Sequence, residues 1–352
     1  MKDQLTHGGD WAGFALAHGC PPLDFSANIS PLGVPTGVQD ALRDAAVRAD
    51  RYPDPLCREL RAALSACEDV PAEWILCGNG AADLIFRAVL ARRPRRALVT
   101  APTFGEYEAA LGLTDCGVKR VFLKEERDFA PDGDVLDAIT PETEMVFLCE
   151  PNNPTGVATT PALLTSILER CRETGALLVV DECFGDFLER PGAHSRKADL
   201  GEFPNLLVLK AFTKLYAMAG VRLGYALCAN TDLLERMRRA GQPWAVSSLA
   251  QAAGIAALRE TGYARRVREL TAAERAWLFR RLTGLGLRVI PGEANYLLFR
   301  SPRPLEEPLT RRGILLRSCG NYMGLDGTWY RTAVRTRGEN RRLMEALEEV
   351  LR

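Results

Sequence analysis

The sequence predicts an α/β protein: a large domain on a mainly parallel sheet covered by helices, followed by a smaller α+β domain. Three observations lead there. From residue 75 the chain repeats an apolar run, a turn and a helical stretch. Most of the runs are continuously apolar rather than alternating, as in strands buried on both faces of a parallel sheet. After about residue 232 the pattern changes to long helices rich in Arg, Ala, Leu and Glu, and then to short strands. At 352 residues the chain exceeds the usual size of one hydrophobic core, so two domains are expected.

The elements are read in order. Residues 1–35, rich in Gly, Pro, Ser and Asn, form an irregular arm with a short strand at 23–26. Helical spacing follows at 38–49. Two prolines make Arg51-Tyr52-Pro53-Asp54-Pro55 a loop, and a helix follows at 56–66. Strands are expected at 74–76, 97–100, 119–123, 145–149, 176–180, 206–209 and 224–228. Helices at 81–91, 104–113 and 162–174 lie between them. Beyond these come helices at 233–240, 249–261 and 263–285, strands at 287–290, 294–299, 314–317 and 329–334, and a last helix at 338–351. The expected division is an N-terminal arm over 1–40 packing with the small domain, a large domain over 41–232 and a small domain over 233–352.

Composition excludes several classes. Apolar content of 47%, charged content of 26% and a formal net charge of +0 describe an ordinary soluble protein. They make no case for a nucleic-acid or membrane partner. Arg92, Arg93, Arg95 and Arg96 cluster between apolar segments and read as a solvated loop. No apolar run approaches the roughly 18 residues of a membrane helix, and the first ten residues lack the apolar core of a signal peptide. The ten cysteines include no CxxC pair, which points to reduced thiols, a cytoplasmic setting and no metal site.

In parallel sheets covered by helices, ligands collect beyond the carboxyl ends of the strands. Five constellations fall there. Gly78-Asn79-Gly80-Ala81-Ala82 opens a helix, where free amides can cradle a phosphate or form a plain glycine turn. Phe104 follows a strand and can stack on a planar ring or enter the core. Asn153, in Cys149-Glu150-Pro151-Asn152-Asn153-Pro154-Thr155-Gly156, can donate to a phenolate or belong to a tight turn. Asp181 caps a buried strand, where a carboxylate needs a partner such as a pyridinium N–H or a helix N-terminus. Lys214 follows Thr213 and precedes Arg222, which suits an amine bonded to an aldehyde cofactor beside phosphate ligands. Only six of the 45 basic residues are lysine, so a reactive amine has few candidates. Asn153, Asp181 and Lys214 are spaced by roughly 30 residues, one strand–helix–strand unit each, so successive strands deliver them to one rim.

Together these residues resemble the fold-type-I pyridoxal-phosphate enzymes of the aminotransferase class I/II family, over nearly the whole chain. The resemblance implies pyridoxal 5′-phosphate as cofactor. It implies Lys214 as the lysine that carries it, Asp181 as partner of the ring nitrogen, Asn153 as ligand of the ring hydroxyl and Phe104 as the stacking ring. Gly80, Ala81, Ala82, Thr213 and Arg222 would form the phosphate cup. Tyr52 would reach the phosphate of the partner subunit, making the protein a homodimer with shared sites.

Within the family the chain resembles two branches. Arg51-Tyr52-Pro53, the string 152–156 and the lysine loop are similar to histidinol-phosphate aminotransferases. His7-Gly8-Gly9, Asp24-Phe25-Ser26-Ala27-Asn28 and the strings at 242–246, 291–298, 317–325 and 330–335 look closer to the threonine-phosphate decarboxylases of cobalamin biosynthesis. Phe184, where the aminotransferases commonly have tyrosine, also fits the latter. The implied substrate is a phosphorylated amino acid, with His7, Asn28, Arg317 and Arg331 as its ligands. Three residues depart from the pattern. Ala211 replaces a hydroxyl of the phosphate cup, Ser30 replaces an asparagine, and Asp10 would repel a phosphate if it pointed inward. The same residue types serve both decarboxylation and transamination, so physics alone leaves that choice open. A regulator that merely binds the cofactor would carry a fused interaction segment or lack the lysine, and neither is seen.

Overall fold

The computed structural model describes residues 7–352; residues 1–6 of the expected arm, Lys2 among them, lie outside the described residues. In chain order the strands are β1 (Leu23–Asp24), β2 (Ile75–Gly78), β3 (Arg96–Ala101), β4 (Gly117–Phe122), β5 (Met145–Cys149), β6 (Leu177–Asp181), β7 (Leu206–Ala211), β8 (Gly224–Leu227), β9 (Arg288–Val289), β10 (Tyr296–Arg300), β11 (Ile314–Leu315), β12 (Arg317–Ser318) and β13 (Trp329–Ala333). The large sheet has the spatial order β2-β8-β7-β6-β5-β3-β4. Strands β3 to β7 run parallel, whereas β8 is antiparallel to both β2 and β7.

Side-chain alternation explains why these runs are apolar throughout. Along β5, Met145, Phe147 and Cys149 enter one buried cluster, while Val146 and Leu148 enter the cluster on the other face. Helices cover both faces. The helix Pro161–Thr174 shows the local logic: the Thr160 side chain accepts from Leu163 N, proline fills the first turn, and Gly175 ends the helix in the left-handed region.

The smaller unit is a four-stranded antiparallel sheet, β12-β13-β10-β9. It shares one core with the helices Tyr263–Gly284 and Arg337–Leu351, through Leu278, Leu282, Leu297, Phe299 and Leu343. Strand β1 pairs with β11 in parallel, and Phe25 lies in this same core.

Four differences from the sequence reading have physical causes. The segment read as irregular holds a helix, Trp11–His18, capped by the Asp10 carboxylate and closed by Gly19 in the left-handed region; its eight residues bury only Phe14 and carry little periodic signal. A second short helix, Gly133–Ala138, starts on the Asp132 side chain. The segment expected as one strand over 314–317 is two, because β11 pairs with the arm and β12 with β13. The last helix starts one residue early, at Arg337, where Thr336 and Glu339 form a capping box. The arginines of the 92–96 segment are exposed, and Arg95 and Arg96 pair with Glu144 and Glu142. All ten cysteines are free. Among the described residues, no helix is long and apolar enough to cross a membrane.

Candidate active site

Strand pairing aligns Cys149 of β5 with Asp181 of β6, and Asp181 with Leu209 of β7. The chain just beyond each end therefore meets at one rim. There a cavity of about 200 Å³ opens, and all the predicted site residues except Gly80 and Tyr52 line it. Gly80 lies directly behind, at the first position of the helix Gly80–Arg92. Tyr52 is on the surface, 81% exposed and stacked on Trp244 at 4.7 Å between ring centroids.

The end of the cavity at the helix start is built by close approach. Gly80 has φ +81°, and a Cβ there would lie 2.7 Å from Arg222 Nη2. A Cβ on Gly224 of β8 would lie 2.6 Å from Ala81 N, so the strand can run against the helix start only as glycine. The helix cap, Asn79, makes no side-chain capping bond. Its first amides thus have no side-chain cap, which is the arrangement that suits an anion at a helix N-terminus.

At the other end stands Asp181, buried. Its Oδ2 accepts from the Tyr107 hydroxyl at 2.8 Å and its Oδ1 from Cys183 N at 3.0 Å. Burial pushes its carboxyl above the usual range, opposed by those donors and by Lys214. The Lys214 amine is pushed down to about 8, first by burial and then by the Arg331 and Arg222 cations. A lysine so placed has a far larger neutral fraction near physiological pH than an ordinary lysine, as a nucleophilic or basic amine needs. Its Nζ lies 5.7 Å from the centroid of Phe184, whose ring brings no hydroxyl to the cavity.

The guanidinium of Arg331 is fixed on several sides. It donates to Asn153 Oδ1, to the Ser26 carbonyl at 2.8 Å and, with the amide oxygen turned to it, to Asn28 at 3.2 Å. Arg317 faces it directly across the antiparallel pair β12–β13. Its Nη2 donates to Asn321 at 2.8 Å, and its guanidinium lies 5.5 Å from the Tyr322 ring. His7 pairs with Glu106 at 2.6 Å and sits 5.6 Å from the Phe104 ring. Of the departures, Asp10 turns its carboxylate to Gly13 N at 2.9 Å as a helix cap. Ser30 Oγ lies 3.0 Å from the Tyr263 hydroxyl and does not line the cavity. Ala211 does line it.

Sequence reading missed three contributors. Tyr107 lies one helical step past Phe104, and that spacing could have found it. Tyr322, within hydrogen-bonding reach of Asn153 at 3.3 Å, sits inside a string already singled out. The Ser26 carbonyl is a backbone acceptor and leaves no side-chain signal.

Comparison with known proteins defines the class. The model of the family "Aminotransferase class I and II" matches residues 21–347, and the chain belongs to that family, whose cofactor, pyridoxal 5′-phosphate, is its own. Among particular proteins, it is 40% identical to the threonine-phosphate decarboxylase of Salmonella typhimurium, over 98% of this chain and 96% of that one. It is 35% identical to histidinol-phosphate aminotransferase 1 of Cupriavidus pinatubonensis, over 94% and 88%. The crystal structure of histidinol-phosphate aminotransferase from Sinorhizobium meliloti, in complex with pyridoxal-5′-phosphate, superposes with a TM-score of 0.86 at 24% identity, over 99% of this chain and 95% of that one.

The residues fit the cofactor. The uncapped helix start, hollowed by Gly80, matches a phosphate. The buried Asp181 carboxylate matches a ring N–H, and the depressed Lys214 amine matches an aldehyde.

Proposed function

We propose that this protein decarboxylates L-threonine O-3-phosphate to (R)-1-aminopropan-2-ol O-phosphate, a step of cobalamin biosynthesis. One observation carries the substrate class: Arg317 and Arg331 stand opposite each other on neighbouring strands, facing the cavity that holds Lys214. Like charges in register repel, and a substrate with two anionic ends relieves that repulsion. The choice of decarboxylation is supported by the 40% identity to a threonine-phosphate decarboxylase over nearly the full chain, and by Phe184.

In this reading Lys214 carries the cofactor, Asp181 binds the ring nitrogen, Asn153 the ring hydroxyl, and Phe104 stacks on the ring. Gly80, Ala81, Ala82, Thr213 and Arg222 take its phosphate. Bound there, pyridoxal 5′-phosphate supplies an electron sink for the bond broken at the substrate Cα. Arg331 and Arg317 bind the carboxylate and phosphate, with His7 and Asn28 beside them, and so fix which Cα bond stands perpendicular to the ring. When that is the Cα–carboxyl bond, CO₂ leaves, and Lys214, its amine freed once the substrate amine has taken its place on the cofactor, would return a proton to Cα as the ammonium. The exposure of Tyr52 supports its crossing to a second copy, so the reading includes a homodimer with shared sites, measurable by sedimentation.

A second reading, transamination of histidinol phosphate, is favoured by the 35% identical relative. With it goes decarboxylation of serine phosphate, since one methyl group changes discrimination only modestly. The assay is CO₂ release from threonine phosphate, with serine phosphate in parallel and no oxo-acid added. Release supports the proposal. Consumption of histidinol phosphate that requires 2-oxoglutarate, with no CO₂ from either amino acid, refutes it.

A further inference from the structure

We propose that Tyr107 is a positioning residue for the cofactor: its hydroxyl aims the Asp181 carboxylate and keeps it ionised toward the ring nitrogen. This rests on the reading of Asp181 given above.

The geometry is specific. Tyr107 is fully buried and stacks on Phe147, with centroids 4.9 Å apart and planes 11° apart. Its edge meets Phe104 at 5.6 Å and 83°. The ring is therefore held from two sides, and one of the holders is the side chain proposed to stack on the cofactor. The phenol has one proton to give, and Asp181 Oδ2 accepts it at 2.8 Å. Cys183 N occupies Oδ1 at 3.0 Å. The two donors leave a carboxylate that cannot rotate freely, with lone pairs remaining for the ring N–H. Both also favour its charged form.

The charge matters because burial works against it. Desolvation raises the Asp181 carboxyl, and the Tyr107 hydroxyl is among the groups that offset this. Burial also holds the phenol itself well above its ordinary range, so it stays a donor across the working pH. Without that donor, Asp181 takes up a proton more readily, and a neutral acid no longer stabilises a protonated ring nitrogen. Tyr107 touches neither substrate nor cofactor atoms in this account; it acts through Asp181.

The test is ¹⁵N NMR of holoenzyme reconstituted with ring-¹⁵N-labelled pyridoxal 5′-phosphate, comparing parent, Tyr107→Phe and Asp181→Asn. Tyr107→Phe keeps the ring and its packing, so it should fold with a melting temperature close to the parent's. The expected result is a nitrogen signal moved from the protonated toward the neutral position, with kcat reduced about tenfold or more and KM nearly unchanged. If Asp181→Asn moves the signal and Tyr107→Phe does not, the role of Tyr107 is overturned while that of Asp181 stands. If neither substitution moves it, the reading of Asp181 falls too.

Discussion

The Glu68 carboxylate holds the Lys210 ammonium at 3.1 Å, four residues ahead of Lys214 in the chain. Burial works against the charge of Lys210, but Asp186, Glu68 and Glu182 outweigh it and hold its proton more tightly than usual. For Lys214 the balance has the opposite sign: burial and two guanidiniums displace the proton. Among the described residues, no ion pair to Lys214 Nζ forms. Two lysines four residues apart are thus separated, one a held cation and the other an amine that gives up its proton readily, by the ion pairs that Lys210 makes and Lys214 does not.

Replacing Glu68 should test the first half. Lys210, the Tyr225 hydroxyl and Lys197 overcome its burial and lower its carboxyl to about 2. Its contribution to stability is then complete at neutral pH and lost as pH falls from about 4.5 toward about 2. Glu68→Gln leaves the buried Lys210 ammonium to Asp186 at 3.3 Å and removes the carboxylate paired with Lys197, and should lower stability at pH 7 by about 2 kcal/mol, measured by urea denaturation. The deficit should shrink over that acid window. An unchanged midpoint at pH 7 would mean that the ion pair is idle.

The second half predicts a pH profile. In the cofactor-free protein, a Lys214 amine with a pKa of about 8 is mostly protonated below that value and neutral above it. Only the neutral amine attacks an aldehyde. The rate of cofactor capture, followed by stopped-flow absorbance, should therefore rise through a midpoint near pH 8. A midpoint near 10.5, the ordinary lysine value, would show that the cavity does not displace the proton.

Gly80→Ala should damage cofactor binding. Alanine at φ +81° costs about 1–2 kcal/mol of backbone strain. The new methyl would also meet Arg222 Nη2 at 2.7 Å and move the guanidinium off the helix start. The dissociation constant for pyridoxal 5′-phosphate, measured by fluorescence titration, should rise about tenfold or more. Unaltered affinity would remove Gly80 and Arg222 from the phosphate cup.

Arg331→Lys keeps the charge and loses the planar fork that spans Asn153 and Ser26 and, in the proposed reading, the substrate. Loss of one or two charge-assisted hydrogen bonds predicts kcat/KM for the phosphorylated substrate lower by about 10- to 100-fold, at little cost in melting temperature. A collapse of stability with activity preserved per folded molecule would instead make Arg331 a strut between the arm and the sheet.

Much of this was legible in the sequence because strand ends are punctuated by chemistry. Apolar runs locate the large sheet, and the regular distance between Asn153, Asp181 and Lys214 in the chain places them on one rim. The short helix Trp11–His18 was not legible, since one buried side chain gives no period to read. The antiparallel direction of β8 was equally hidden: a buried strand reads the same either way. Asp10 looked hostile to a phosphate by residue type, and only its hydrogen bond to Gly13 shows that the charge is spent on a helix cap. The opposition of Lys210 and Lys214 needed Glu68, distant in sequence and adjacent only in the fold.

The most direct measurement is borohydride reduction of the holoenzyme followed by peptide mass spectrometry. The reduced cofactor should be found on the Lys214 side chain, and the Lys214→Ala protein should lack both the adduct and the yellow absorbance. An adduct mapped to Lys210, or one that persists in Lys214→Ala, would contradict the account.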